Sequence, residues 1–285
     1  MRIKREPAIQ IKTRAQLDIM REAGVLVAQT LSALAAAANP GVTTGDLDQI
    51  AERQITGAGA TPSFKGYQGF PATICTSVNE EIVHGIPSPD KVLRAGDVIS
   101  IDCGAIVRGW HADAALTVGV GEISGDRRRL LEACEDALWQ GLAQAHPGRR
   151  LSDISHAVER SARASGPYGI VEEYVGHGIG TEMHMDPAVP NYGRPGRGPV
   201  LEVGMALAVE PMLVLGKRQT RQLQDGWTVI SADGTPAAHF EHTVAITADG
   251  PWVLTAMDGG QSRLAGTAAA GARSDPVTPT TNLQP

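Results

Sequence analysis

Acidic side chains occupy matching positions in two parts of this chain. Residues 93–102 read LRAGDVISID and residues 201–210 read LEVGMALAVE, so that a leucine, a glycine and an apolar run lead in each case to an acid. Asp102 and Glu210 are therefore equivalent. Carboxylates that meet at the ends of apolar strands need partners that offset their charge, and the matched pair predicts a site for cations.

Further matches strengthen the duplication. The tripeptide His111-Ala112-Asp113 is answered by His239-Phe240-Glu241, and the dipeptide His84-Gly85 is answered by His177-Gly178. Two copies of one unit, related by an approximate two-fold axis, would bring four acids and two histidines to one place.

A predicted hairpin brings the first two acids together. Asp102 and Asp113 flank the turn Val107-Arg108-Gly109, so two antiparallel strands would set them nearly opposite each other, with Cβ atoms about 4.5 to 5.5 Å apart. Glu210 and Glu241 would meet in the same way in the second half. Ordinary surface acids are the alternative, but residues 98–101 and 206–209 are apolar runs typical of buried strands.

The number and type of these side chains indicate a dinuclear metal site. Four carboxylates nearly balance the charge of two divalent cations, and an oxygen-rich set with one imidazole favours Mn, Fe or Co over structural zinc. Two such metals about 3.5 to 4 Å apart can share and activate a water molecule. The chemistry implied is hydrolysis of an amide or of a phosphate ester.

Six of the eight histidines divide into three groups of candidates, and the other two, His146 and His156, are predicted to be structural. His177 lies between two glycines that let the backbone approach a metal, and we predict that it is a ligand. His84 and His184 are candidates to hold a substrate carbonyl or to pass a proton to a leaving amine. Three others flank the predicted ligands and would orient them as outer partners: His111, His239 and His242.

The elements that would position these residues follow the same order twice. Thr13 and Gln16 form a capping box ahead of a helix that ends at Asn39, and a second helix is expected from Thr44 to Gly57. Strands follow, and after Ser124 the order of helix, helix and strands repeats. The pattern predicts an α+β fold, with helices packed on one side of a curved antiparallel sheet.

The repeat units span about residues 14–120 and 124–250 and belong to a single catalytic domain, residues 1–258. The segment 259–285 is rich in Ala, Gly, Thr, Ser and Pro. It is predicted to be a disordered tail.

Composition excludes several classes of protein. The 285 residues carry a net charge of -6, which gives no basic footprint for nucleic acid. The most apolar run, Leu31–Ala38, is shorter than the roughly 20 residues of a membrane span, and the charged amino terminus shows no signal peptide. Three widely spaced cysteines fit a reduced, cytoplasmic protein.

Several segments in this order resemble type I methionine aminopeptidases, which have the pita-bread (creatinase/aminopeptidase) metallopeptidase fold of two halves related by a pseudo-two-fold axis. The resemblance runs from about Ile11 to Met257. The segments that carry it are Phe64–Pro71, Cys75–Pro87, Ile101–Asp113, Gly176–His184, Val209–Pro211 and Phe240–Thr243.

The resemblance implies a role for each candidate residue. Asp102 would chelate one metal, Asp113 and Glu241 would bridge both, and His177 and Glu210 would complete the other site. His84 would contact the amine side of the substrate and His184 the scissile carbonyl. Glu210 would also take the proton of the attacking water. A monovalent cation (Na or K) near Asn79 and Ser231 is a further expectation.

The resemblance also implies a pocket for a methionine side chain, lined by Tyr67, Phe70, Cys75 and Trp227 with Phe64 and Met183 at the rim. Family members often have Cys near position 64 and Phe at position 183, so the two rim residues depart from the pattern. The expected activity is removal of the initiator methionine from nascent polypeptides when the next residue is small. The chain is expected to be a monomer with transient ribosome association, without nucleic-acid specificity and without a membrane partner.

Three other functions compete with this one. A proline-specific aminopeptidase or prolidase would keep the five ligands but usually has an extra amino-terminal domain. A non-catalytic binding relative would have lost one or more ligands. A phosphoesterase on an unrelated fold would share the dinuclear chemistry but would not explain Tyr67, Cys75 or the matched histidines.

Overall fold

The computed structural model describes residues 9–271. Five α-helices lie in this range: α1 (Arg14–Ala37), α2 (Thr44–Gly57), α3 (Gly125–Leu142), α4 (Leu151–Ser165) and α5 (Gln261–Gly271). The strands of the first half are β1 (Thr61–Pro62), β2 (Ile74–Val78), β3 (Glu81–Val83), β4 (Val98–Val107) and β5 (Trp110–Gly119). The strands of the second half are β6 (Gly169–Ile170), β7 (Gly176–Gly178), β8 (Met185–Val189), β9 (Ala206–Val209), β10 (Met212–Val214), β11 (Thr220–Gln222), β12 (Val229–Ser231), β13 (Ala237–His239), β14 (Glu241–Thr247) and β15 (Gly250–Val253).

The first two helices begin where the sequence predicts. Thr13 caps α1 and Thr43 caps α2, each in a capping box in which the residue three positions later reaches back to the cap. The periodic apolar residues of α1, among them Leu17, Val27 and Leu34, are buried. This helix is long and apolar enough to cross a membrane by length and composition, but it packs on β4 and β5.

Most strands form one antiparallel sheet of nine. Its order is β1-β4-β5-β14-β9-β7-β8, with β2 paired to β4 and β15 paired to β14. The two halves of the chain therefore join at β5 and β14. Two sheets of three strands, β13-β10-β6 and β11-β12-β3, complete the architecture.

The hairpin between β4 and β5 turns at Arg108 and Gly109, which have φ of 49° and 80°. A two-residue turn with both φ values positive matches the twist of the flanking strands. It pairs Val107 with Trp110 and thereby fixes the register of the whole ladder.

Successive side chains of β4 point to opposite faces of the sheet. Ile101 and Cys103 are buried in the core under α1 and α2, so Asp102 between them faces away from the helices. A second core lies among α3, α4 and the strands of the second half. Helices on one side of an antiparallel sheet confirm the predicted α+β class.

The segment predicted as a disordered tail contains α5. Asp258 accepts hydrogen bonds from the amide and hydroxyl of Ser262 at the start of this helix, and Arg263 reaches Asp136 of α3 at 3.2 Å. Alanine-rich sequence has high helix propensity, which composition alone does not separate from disorder. Residues 272–285, the rest of the predicted tail, lie outside the described range.

Candidate metal centre

Asp102 and Asp113 stand on adjacent strands, but their register differs from the prediction. Asp102 pairs with Ala115 and Asp113 pairs with Gly104, so the two acids are diagonal neighbours and not an opposed pair. The two-residue turn sets this offset. Diagonal side chains still reach each other across a sheet.

Glu210 and Glu241 meet at the junction of β9 and β14. Val209 pairs with His242, and Glu210 and Glu241 are the next residues along the two segments. The two acids are close enough for the charge of Glu210 to raise the pKa of Glu241, although the connecting chain between them is long.

His177 is held against β9 by glycines on either side. A Cβ at Gly176 would lie 2.3 Å from the carbonyl oxygen of Ala208, and one at Gly178 would lie 2.1 Å from that of Asp186, so only glycine permits this close approach. The Nδ1 atom of His177 is 3.0 Å from the carbonyl oxygen of Gly178. If Nδ1 carries the proton, Nε2 has a free lone pair, 3.6 Å from Glu210 Oε1.

Three of these side chains converge closely. One ligand atom from each of Asp113, His177 and Glu241 lies within 4.8 Å of the other two. Their exposed fractions are only 4%, 7% and 2%. Among the described residues, one oxygen of each of three acids is buried without a hydrogen-bond partner: Asp102 Oδ1, Asp113 Oδ1 and Glu241 Oε1.

Buried carboxylate oxygens without partners are costly unless a cation or a proton compensates them. Converging oxygens with one imidazole nitrogen form a donor set suited to divalent metals. The residues present therefore fit a metal site.

The pKa values of the acids and of the imidazole shift in opposite directions. Burial raises the pKa of Asp113 to about 7, and burial together with neighbouring carboxylates raises the pKa of Asp102, Glu210 and Glu241. Burial lowers the pKa of His177 to about 3. Without a cation the acids resist ionisation, whereas the imidazole is neutral, which is the form that binds metals.

His184 and His84 lie on two sides of this cluster. His184 is exposed at the mouth of the cavity, its Nδ1 atom is 2.9 Å from the hydroxyl oxygen of Tyr67, and its ring centroid is 4.3 Å from that of His177. His84 has a left-handed backbone with φ of 59° and stands edge-on to Tyr174 and Trp227. Burial lowers the pKa of His84 to about 4 and also lowers the pKa of His184.

An apolar cavity of about 160 Å³ opens onto the acids and histidines. Phe64, Phe70, Cys75 and Met183 are buried in one cluster, and the ring of Trp227 meets that of Phe70 edge-on at 5.1 Å. All six residues predicted for the pocket line this cavity: Phe64, Tyr67, Phe70, Cys75, Met183 and Trp227.

Gln68 also lines the cavity and was not singled out by the sequence. Its φ of 49° is left-handed, which is uncommon outside glycine. Gly66 and Gly69 on either side of it were the available signal, because they mark a tight turn.

The three histidines predicted as outer partners lie in different places. His239 Nε2 is 3.7 Å from Glu210 Oε2, so His239 stays beside the acids. His111 Nδ1 is 3.1 Å from the Ser63 hydroxyl. His242 lies on the helix side of the sheet, with Nδ1 2.9 Å from the Thr255 hydroxyl and its ring against Trp139.

The two residues predicted to lie near a monovalent cation are neighbours. The carbonyl oxygen of Asn79 accepts a hydrogen bond from Ala237, and that of Glu80 accepts one from Ser231. The Asn79 side chain is held by Arg127 of α3, whose guanidinium lies 2.7 Å from Asn79 Oδ1.

A larger groove of about 750 Å³ lies between α1 and α3. Its walls include Leu31, Leu131 and Trp139, and its floor includes Phe240 and His242. It is on the face of the sheet opposite the acids. The smaller cavity is the better candidate because the titratable groups with shifted pKa converge there.

The sequence pattern of metallopeptidase family M24 matches residues 18–248. A methionine aminopeptidase of Clostridium acetobutylicum is 53% identical over 247 residues, which cover 87% of this chain and 98% of the relative. The solved structure of a methionine aminopeptidase from Thermotoga maritima is 40% identical, with a TM-score of 0.85 and coverage of 87% and 99%.

A prolidase from Pyrococcus furiosus has a TM-score of 0.70 at 23% identity, and this chain covers 65% of its length. That likeness shows the shared fold alone, which is the pita-bread fold predicted. Together with the buried acids that fit a metal, these matches establish that the chain belongs to metallopeptidase family M24.

Proposed function

We propose that the chain hydrolyses the peptide bond after an amino-terminal methionine when the next residue is small. The observation that carries this proposal is the single cavity that is lined both by aromatic and apolar side chains and by the acids. A methionine thioether is flexible and makes favourable contacts with aromatic rings, and Phe64, Phe70 and Trp227 provide such rings. The relatives named above as methionine aminopeptidases support the same activity.

The proposed cofactor is a pair of divalent ions, Mn, Fe or Co. Asp102 would hold one ion, Asp113 and Glu241 would bridge both, and His177 and Glu210 would complete the second site. Bound divalent ions lower the pKa of water and polarise a carbonyl. The orphaned oxygens of Asp102, Asp113 and Glu241 support this assignment.

The Tyr67 hydroxyl sets which nitrogen of the His184 ring carries the proton. Because burial lowers the pKa of His184, its ring is neutral at pH 7. If the Tyr67 hydroxyl donates to Nδ1 across the 2.9 Å contact, the ring proton is on Nε2. That N–H can donate a hydrogen bond to the oxygen of the scissile carbonyl, where negative charge develops.

Glu210 is the proposed acceptor of the proton from the attacking water. Its carboxylate lies beside the imidazoles of His177 and His239, at 3.6 Å and 3.7 Å, and lines the same cavity as the other acids. His84, which lines the same cavity, is proposed to contact the amine side of the substrate. Its neutral ring does not repel an ammonium group.

The mouth of the cavity supports selection for a small second residue. Tyr67, Gln68 and His184 line the cavity and are partly or fully exposed. In the turn that holds Gln68, the Gly66 amide donates to the Phe70 carbonyl and the Tyr67 amide donates to the Phe64 carbonyl. A bulky side chain after methionine would meet these groups.

The domain organisation, a monovalent cation, the location and the partners belong to the same proposal. Residues 1–258 form one catalytic domain of two half-repeats, about 14–120 and 124–250. A monovalent cation, Na or K, would bind near Asn79 and Ser231. The enzyme would act in the cytoplasm as a monomer and would associate transiently with ribosomes.

One comparison tests the proposal against its rivals. Met-Gly-x, x-Pro and phosphoester substrates are offered to the enzyme as purified, after chelation, and after Mn, Fe, Co or Zn is restored. We expect turnover of Met-Gly-x alone, lost on chelation and regained with metal. Cleavage of x-Pro peptides would favour a prolidase activity, and metal binding without turnover would favour a non-catalytic relative.

A further inference from the structure

Two threonines form hydrogen bonds to the backbone of residues at the metal centre. Thr243 of β14 donates its hydroxyl proton to the carbonyl oxygen of Asp113 at 2.8 Å and accepts a bond from the Asp113 amide at 3.0 Å. Thr117 of β5 does the same for His239, at 2.7 Å and 2.9 Å. Both hydroxyls are buried.

These bonds replace strand pairing that is missing at the junction of the two halves. The strands β5 and β14 pair only where Ala114 and Ala115 meet His242 and Glu241. Beyond that point β14 pairs with β15. The backbone of Asp113 therefore has no strand partner on its β14 side, and it bonds to the Thr243 hydroxyl there. At the other end His239 belongs to β13, which pairs with β10, and the Thr117 hydroxyl bridges the gap.

The two threonines are related by the antiparallel pairing. Asp113 comes four residues before Thr117, and His239 comes four residues before Thr243. Each hydroxyl therefore joins the first half of the chain to the second. Ser100 adds a third bond to Thr117 at 2.8 Å, and Ser100 must be the donor because the single Thr117 proton is directed to His239.

We propose that Thr243 and Thr117 are positioning residues of the metal centre. Their hydroxyls set the spacing between β5 and β14, and so hold the Asp113 carboxylate relative to Glu241, and His239 relative to Glu210. Metal affinity then depends on two hydroxyls that are not ligands themselves. This inference rests on the proposed metal ligands and not on the identity of the peptide substrate.

The test measures Co²⁺ binding to the metal-free protein by calorimetry and by visible absorption. Thr243→Val keeps the size of the side chain but cannot donate to or accept from Asp113. We expect it to weaken Co²⁺ binding about 10- to 100-fold, the range found when outer partners of ligands are removed. Thr243→Ser keeps the hydroxyl and should bind Co²⁺ nearly as tightly as the wild type.

Thr76→Val is the matched control. Thr76 is fully buried on β2, and its hydroxyl has no hydrogen-bond partner within residues 9–271. The same replacement there should leave Co²⁺ affinity unchanged. The absorption spectrum at saturating Co²⁺ reports ligand geometry, which loss of global stability does not alter, and it should change in Thr243→Val but not in Thr76→Val.

The proposal is overturned if Thr243→Val binds Co²⁺ with wild-type affinity and spectrum. If that variant does not fold, Thr243→Ala and Thr117→Val are measured in its place, and wild-type binding by both would overturn it equally. The Co²⁺ measurements contain no peptide. Their outcome can therefore be interpreted even if the proposed peptidase activity is not found.

Discussion

Four acids, two of them buried (Asp113 and Glu241) and two partly buried (Asp102 and Glu210), surround one neutral imidazole. When ionised, they carry more negative charge than the described part of the chain compensates. Within residues 9–271 no lysine or arginine forms an ion pair with any of the four acids. Ionising the acids without a cation would place uncompensated charges in a poorly hydrated site. The site is therefore built to be stable only with bound cations or bound protons.

Removing one bridging candidate should abolish metal-dependent activity. In Asp113→Asn or Glu241→Gln the side chain keeps its shape but loses its charge. We expect kcat to fall by more than about 100-fold, because even the outer partners of ligands are worth 10- to 100-fold. Activity would be measured on Met-Gly-x, with bound metal counted by elemental analysis.

Glu182→Gln supplies the control for these variants, since Glu182 is an exposed acid on the loop that carries Met183 and His184. It should retain both metal and activity. Full activity in Asp113→Asn and Glu241→Gln would contradict the bridging assignment.

Met183 is, with Phe64, one of the two rim residues that the resemblance marks as departures from the family pattern. It is 4% exposed and packs with Phe64, Phe70 and Cys75. Met183→Ala would open the pocket, and we expect KM for Met-Gly-x to rise about tenfold with a smaller change in kcat, because missing apolar contacts in a pocket are worth about 1 to 3 kcal/mol. A fall in kcat at constant KM would instead show that Met183 acts on the reacting groups.

The loop between β7 and β8 is held by the segment that precedes α1. Gln10 donates to the Thr181 hydroxyl at 2.8 Å and accepts from the Thr181 amide at 3.3 Å. A Cβ at Gly180 would lie 2.0 Å from Gln10 Oε1. These contacts fasten the loop that carries Met183 and His184.

Gln10→Ala should therefore affect substrate binding without affecting the metal. We expect KM for Met-Gly-x to rise several-fold, and Co²⁺ affinity to stay at the wild-type value, because the β strands that carry the ligands are untouched. Steady-state kinetics would measure KM, and calorimetry would measure Co²⁺ affinity. Arg14→Ala is a nearby control, since its exposed ion pair with Asp18 should contribute little.

The metal centre lies where the two halves of the molecule join, so its charge state affects the stability of the whole. Burial raises the pKa of Asp113 from an ordinary value near 3.8 to about 7, and the pKa of Glu241 is raised as well. Between about pH 3.8 and pH 7 the folded, metal-free protein binds more protons than the unfolded chain. Its free energy of unfolding therefore falls as the pH rises through this window.

Metal should reverse this loss. A bound cation favours the ionised acids, so the difference in Tm between metal-loaded and metal-free protein should be larger at pH 7.5 than at pH 5. We expect the difference to grow by several degrees, since about 1 kcal/mol shifts Tm by roughly 2 to 4 °C in domains of 150 to 250 residues. Calorimetric scans with and without Mn²⁺ would measure it.

Asp113→Asn removes one of the titrating groups and should reduce the dependence of this Tm difference on pH. A difference that is constant from pH 5 to pH 7.5 in the wild type would show that the acids are already ionised without metal.

The sequence by itself determined much of the local structure and predicted the class of chemistry, which is metal-assisted hydrolysis. The capping boxes at Thr13 and Thr43 fix where two helices begin, because the hydroxyl and the following side chain satisfy amides that no helix turn can reach. The apolar runs before Asp102 and Glu210 could only be buried strands. Acids at the ends of such strands in two matched copies required a cation.

Tertiary structure decided what depends on contacts between distant segments. The register of β4 and β5 made Asp102 and Asp113 diagonal neighbours, and the side of the sheet separated His239, beside Glu210, from His242, beneath the helices. The roles of Thr117 and Thr243 arise only where β5 and β14 part. The contacts of Thr117 and Thr243 have no local signal, because they join segments more than 100 residues apart in the chain.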